Sequence, residues 1–208
     1  EVVAEAALDT DEPRITTTTL AGLINSDLSV GLDVTRSQTL LANEGLCTPG
    51  VKLHGSGFLL SEKEAQHLGL GRRLGLERHI RDYRNGRDLT ARSRNAMVID
   101  LFGLSAEAVR RDFPEVYQHL IETVRAARTI QAAKSPTKDA LDYLARWWVL
   151  GKPRSSMRHA LDGLTRYLAT VETTKHRVFQ FLDASILADN MIVVVPDGDA
   201  ATMAILSS

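Results

Sequence analysis

Residues 166–183, RYLATVETTKHRVFQFLD, decide how the chain is read. Two runs rich in β-branched and aromatic residues, 166–171 and 177–182, flank a polar bend of Glu172, Thr173, Thr174, Lys175 and His176. Such runs separated by a short polar segment predict a strand, an exposed connection and a second strand. Together with Arg177, the connection offers a carboxylate, two hydroxyls, an ammonium, an imidazole and a guanidinium. That set of donors and acceptors suits base edges and phosphates. A solvated hairpin tip has the same composition, so the rest of the chain must separate the two readings.

Charge distribution is the first discriminator. The net charge is only −1, but it is unevenly spread. Residues 1–14 hold five acids and one arginine and lack periodicity, which predicts a loose acidic lead-in before a domain spanning 15–208. Eight arginines lie between Arg72 and Arg94, against Glu77, Asp82 and Asp88. Seven Lys or Arg lie between Arg146 and Arg177, against Asp162 and Glu172. Two basic segments on a near-neutral chain form a polyanion-binding face if folding brings them together, and two solvated faces if it does not.

Around the hairpin, helical and strand patterns mix without a strict βαβ alternation. The predicted fold class is α+β, a mixed or antiparallel sheet with packed helices in a single domain. Residues 50–60, GVKLHGSGFLL, read as a strand with a bulge or close backbone approach at Gly55 and Gly57. Ser61 with Glu64 is a capping box opening a helix through His67. Residues 76–94 begin helix-like, and Asn85-Gly86 predicts a turn presenting Arg84 and Arg87. Residues 96–102, AMVIDLF, predict a buried strand. Ser105 and Pro114 mark two helix starts, residues 125–136 read as a loop, and 137–148 as a helix ending in a Trp pair. Residues 151–154 read as a turn, Ser155 caps a short helix, and two strands close the chain over 190–208.

Catalytic chemistry is missing from the pattern. GLGRRLG, residues 69–75, has the wrong glycine spacing for a dinucleotide loop and lacks a P-loop lysine. Ser56 between two glycines is not the Gly-x-Ser-x-Gly elbow of hydrolases. The six histidines are scattered, no acidic cluster stands at metal-ligand spacing, and no catalytic residue or metal ligand is assigned. Cys47 is the only cysteine, which fits a reducing, cytoplasmic setting. No apolar run approaches the roughly eighteen residues of a membrane span. The first residue is Glu1, not Met, and the chain stops at Ser208 straight after a strand-like run, so it reads as a segment of a longer protein.

Several phrases carry a family resemblance when taken in order. They are ANEGL and PGVKLHGSGF within 42–58, RNGRDL at 84–89, VIDLFGL at 98–104, FPEVYQHL at 113–120, WWVLGKPR at 147–154, and RYLAT with TKHRVFQFLD within 166–183. Over roughly residues 20–208 the chain resembles the single-chain restriction–modification enzymes of the Mme type (types IIG and IIL) and related adenine-specific DNA methyltransferases. The resemblance implies the target recognition domain that follows the methyltransferase domain. It implies double-stranded DNA as partner, the parent's methyltransferase domain as neighbour, and S-adenosylmethionine bound only in that other domain. The family's Asn-Pro-Pro-Tyr motif, glycine-rich cofactor motif and nuclease signature are absent here, so this segment itself would be non-enzymatic and without cofactor. The expected phosphate contacts are Arg84, Arg87, Arg92, Arg94 and Arg154, with Asn85 also DNA-binding and bases read by Glu172, Thr173, Thr174, Lys175, His176 and Arg177. The family pattern breaks over 124–138, and no contact is assigned there. A protein-interaction module docking onto other subunits is the competing expectation.

Overall fold

The computed structural model describes residues 2–5, 14–17, 21, 22, 24, 30 and 44–208. The chain divides into two units, Glu1–Glu44 and Gly45–Ser208. In the first, β1 (Val2–Glu5) pairs antiparallel with β2 (Arg14–Thr17). Residues 2–5 of the acidic lead-in therefore form a strand, with Val2 in register with Thr17 and Val3 with Thr16. Residues 15–34, where β-branched residues mixed with Asn25, Asp27 and two glycines predict short strands or loops, lie mostly outside the described residues.

The second unit is α+β, with two four-stranded sheets and packed helices. Its elements in chain order are β3 (Thr48–Pro49), β4 (Leu59–Leu60), α1 (Glu62–His67), β5 (Ile80–Arg84), α2 (Gly86–Thr90) and β6 (Met97–Ile99). Then come α3 (Ala106–Asp112), α4 (Pro114–Leu120), α5 (Ala126–Lys134), α6 (Lys138–Ala145) and α7 (Ser155–Leu161). Last are β7 (Arg166–Val171), β8 (Phe179–Asp183), β9 (Leu187–Ala188), β10 (Ile192–Val195) and α8 (Ala200–Ser207). One sheet runs β3-β10-β7-β8, all antiparallel; the other runs β4-β6-β5-β9, with only β5 and β9 parallel. β7 lies between β10 and β8, and residues 167–170 are all buried, so both faces of the strand are covered. Tyr167, Phe58, Leu76, Ile99, Leu120 and Ile192 join one core, each worth about 1.5–3 kcal/mol on burial.

Short-range signals hold where they are strong. The Ser61–Glu64 capping box opens α1, Ser105 caps α3, Pro114 begins α4 and Thr137 caps α6. Gly57 makes the close approach expected of it: a Cβ there would sit 2.2 Å from the Thr123 hydroxyl. The strand expected over 50–60 is interrupted, however, by a 3-10 turn at Ser56–Phe58.

Four further expectations are corrected. Residues 76–84 form a 3-10 turn and β5, because Tyr83 and Arg84 pair with distant Leu187 and Ala188. Residues 126–134 are helix α5, continuing from α4 through a π-helical turn at Ile121–Arg125. The core stripe there is Val124, Arg128 and Ala132, and a charged residue in the middle position breaks the apolar count. The cap of α7 is Arg154, not Ser155. The C-terminal residues form α8, not a strand, with the Asp199 carboxylate accepting from the Ala201 N–H at 2.9 Å.

Among the described residues no helix is long and apolar enough to cross a membrane.

Candidate nucleic-acid interface

The β7–β8 hairpin forms in the expected place, with Arg166 opposite Asp183 and Thr170 opposite Phe179. Its connection is longer than the pattern suggests. β8 begins at Phe179, so Arg177 and Val178 belong to the bend and not to the strand. Glu172, Thr173, Lys175, His176 and Arg177 are exposed, and Thr174 is half-buried. Three bonds shape the bend. The Thr174 hydroxyl donates to the His176 carbonyl at 3.0 Å, and the Arg177 guanidinium reaches back to the Val171 and Glu172 carbonyls at 3.3 and 3.4 Å. A guanidinium carries five N–H donors, so Arg177 keeps several for an outside acceptor.

The fold brings this bend against α2. Asn85, Gly86, Arg87 and Thr90 line one wall of an open groove of about 450 Å³, Val171, Thr173 and Thr174 the other, over Asp189 and Met191. Gly86 allows the approach, since a Cβ there would lie 3.0 Å from a Val171 methyl. The contact is fastened by Gln180, whose side-chain amide donates to the Leu89 carbonyl at 2.7 Å. On the floor, the Asp189 carboxylate accepts from the Tyr83 hydroxyl and from the Met191 N–H. Burial, followed by that carboxylate, pushes the Tyr83 phenol well above its ordinary range. Nothing local in the sequence marks Tyr83, Gln180 and Asp189, because an anchoring polar side chain and a solvated one look alike there.

The expected phosphate contacts divide. Arg87 and Arg92 are exposed, and no carboxylate of the described residues pairs with them, Lys175 or Arg177. Asn85 is occupied as the N-cap of α2, accepting from the Arg87 and Asp88 N–H groups at 3.0 and 3.2 Å. Arg84 is half-buried, donates to the Tyr83 carbonyl at 3.1 Å, and lines a different groove with Glu62 and Asp82. Arg154 is half-buried too, with left-handed backbone at φ 57° and its Nε on the Gly50 carbonyl at 3.1 Å. Arg94 forks onto buried Asp88, at 3.1 Å from Nε and 2.9 Å from Nη2.

That last pair carries a testable acid limb. Burial alone would raise the Asp88 carboxyl, but the Arg94 guanidinium and the Asn85 and Arg94 backbone N–H groups outweigh it and hold it at about 2. Because this lies below the ordinary value of about 3.9, the pair stabilises the fold above about pH 4. The contribution, on the order of 1–2 kcal/mol with the half-exposed arginine allowed for, is lost as pH falls from about 4 towards 2. Denaturant midpoints measured across that window should fall, and Asp88→Asn should remove that part of the slope. An unchanged slope in Asp88→Asn would assign the acid loss to other carboxylates.

No family model matches the sequence, and no curated protein matches it. Among solved structures, the chain is similar to part of the Type IIL restriction-modification enzyme MmeI, determined in complex with DNA. The TM-score is 0.72 at 19% identity, covering 100% of this chain and 26% of that one. The chain therefore shares a fold with that portion and spans about a quarter of the enzyme's length.

Proposed function

We propose that this chain reads a double-stranded DNA site within a restriction–modification enzyme, presenting it to an adenine methyltransferase domain of the same parent. One observation carries the reading. Two basic segments far apart in sequence meet at a groove lined by Arg87, Thr173 and Thr174, with Lys175 and Arg177 exposed in the same bend and no carboxylate of the described residues paired with these three cations, on a fold shared with part of a DNA-bound enzyme.

Each contact has its own role. Arg87, Arg92, Lys175 and the free edge of Arg154 neutralise phosphates, which supplies most of the affinity and none of the sequence preference. Arg177 and Glu172 read bases from the bend. A guanidinium grips guanine O6 and N7 together, and a carboxylate accepts from the cytosine amino group. Thr173 and Thr174 face the groove and serve either edge. Asn85 and Arg94 act behind this surface, holding α2 in place, and Arg84 lies in a different groove. The methyltransferase domain, with S-adenosylmethionine, then acts on an adenine swung out of the stack. The role of this chain is positioning.

Titration of the chain with a duplex library across a range of salt tests the reading. The logarithm of affinity should fall linearly with the logarithm of salt, by about 0.9 for each phosphate neutralised. Arg177→Ala should cost about 1–3 kcal/mol on the preferred duplex and relax preference at one base pair. Binding indifferent to salt, or capture of protein subunits with no DNA binding, would instead favour a docking module.

A further inference from the structure

We infer that Lys52 and Lys152 form a separate grip for a backbone phosphate of the same nucleic acid, beside the groove. The inference rests on the DNA reading above and adds two residues to it.

Lys52 and Lys152 stand directly opposite each other on an antiparallel bridge. Both backbone bonds of the bridge are present, Lys52 N–H to Lys152 carbonyl and Lys152 N–H to Lys52 carbonyl, each at 3.0 Å. Directly opposed residues on such a bridge project from the same face, with Cβ atoms about 4.5–5.5 Å apart. Both lysines are exposed, and no carboxylate of the described residues forms an ion pair with either. Like charges in this arrangement oppose pairing. A Lys–Glu pair at the same register would instead favour it, so the bridge carries a repulsion that an anion between the ammonium groups would relieve.

The surroundings strengthen the positive field. Gly151 packs on the His54 ring so closely that a Cβ would lie 2.3 Å from it, which sets the 151–154 segment over His54. The His54 Nε2 is buried without a hydrogen-bond partner. Its pKa is lowered first by burial and then by Lys52, Arg128 and Lys152, with Asp139 the opposing carboxylate. Lys52, Arg128 and Lys152 thus all act on His54, opposed by Asp139, and Arg154 is bound to the Gly50 carbonyl two residues before Lys52. The bridge also adjoins the groove: Val51 pairs with Asp189, which lies on the groove floor. A duplex seated over the groove would carry its backbone across this edge. Phosphate is the fitting ligand because lysine acts on it as a compact point charge, giving affinity without base preference.

The experiment compares the chain with Lys52→Ala, Lys152→Ala and Lys152→Glu, using the duplex preferred by the wild type. Each alanine variant should lower the salt slope by about 1 and weaken binding about tenfold at 0.1 M salt, leaving the ranking of duplexes unchanged. Lys152→Glu should weaken binding further while raising the melting temperature by about 1–3 °C, because the like-charge pair is gone. If the wild type shows a steep salt slope and the alanine variants share it, the grip is wrong and the DNA reading stands. A changed ranking of duplexes would also overturn it, by making these lysines base readers. If wild-type binding ignores salt, both fall together.

Discussion

Replacing Arg128 by methionine should destabilise the protein by about 3–5 kcal/mol, the largest loss expected from any single change considered. Arg128 is 6% exposed, and no acid of the described residues neutralises it. Instead, its guanidinium donates to the carbonyls of Leu53, His54, Tyr143, Arg146 and Val149, at 2.9–3.2 Å. Tyr143 and Arg146 sit at the C-terminal end of α6, where unpaired carbonyls and the helix dipole favour a cation. The Phe58 and Tyr143 rings flank it at 5.3 and 5.6 Å. Burial pushes its pKa down to about 10, which still leaves it charged at neutral pH. Methionine fills similar volume but strands the buried His54, Tyr143 and Val149 carbonyls, while those of Leu53 and Arg146 keep only the Gly151 and Val149 N–H groups. Arg128→Lys keeps the charge with three donors in place of five, and should recover only part of the loss. Urea unfolding of the three proteins reads this directly. A loss below about 1 kcal/mol in Arg128→Met would mean that water reaches those carbonyls.

Asp100→Asn comes next, with an expected loss of about 2–4 kcal/mol. Asp100 is 4% exposed and accepts from Arg158 at 2.7 and 2.9 Å and from Arg81 at 3.4 Å. Those arginines are also connectors. Arg81 donates to the Ala184 and Ser185 carbonyls, and Arg158 donates to the Pro153 carbonyl while lying over the Phe102 ring. One carboxylate thus ties β5, α7 and the turn after β8. The amide replacement removes its charge and exchanges one of the two acceptor oxygens for a donor, leaving two guanidinium groups to share a single neutral acceptor. The cost arises from unpaired buried charge, so adding Arg158→Met to Asp100→Asn should do less damage than the sum of the two single changes. Strict additivity would show that the triad is not acting as one unit. Since Arg81 holds the turn following β8, the single variant should also loosen the hairpin, readable as faster amide exchange over 179–186.

These two sites, the groove and the lysine bridge share a feature: each is made by residues remote in sequence. The hairpin, the Ser61–Glu64 box, the starts of α3, α4 and α6 and the buried strand at β6 are written locally, in alternation and cap chemistry that act over a few residues. The α+β class and the exposed, charged bend follow from those signals alone. What the sequence could not divide was its arginines. Arg87 and Arg177 remain open to solvent, Arg94 and Arg158 are tied to buried carboxylates, and Arg128 lies in the core, yet all are the same letter in similar surroundings. A guanidinium's role depends on which acceptor stands within about 3 Å of it, and that neighbour is set by chain packing across tens of residues. The same physics turned 76–84 into strand, through pairing with Leu187 and Ala188, and 126–134 into helix, through a core position held by a charge. Local pattern determined which elements form at capped and alternating stretches; long-range packing decided which charges were left free to meet a partner.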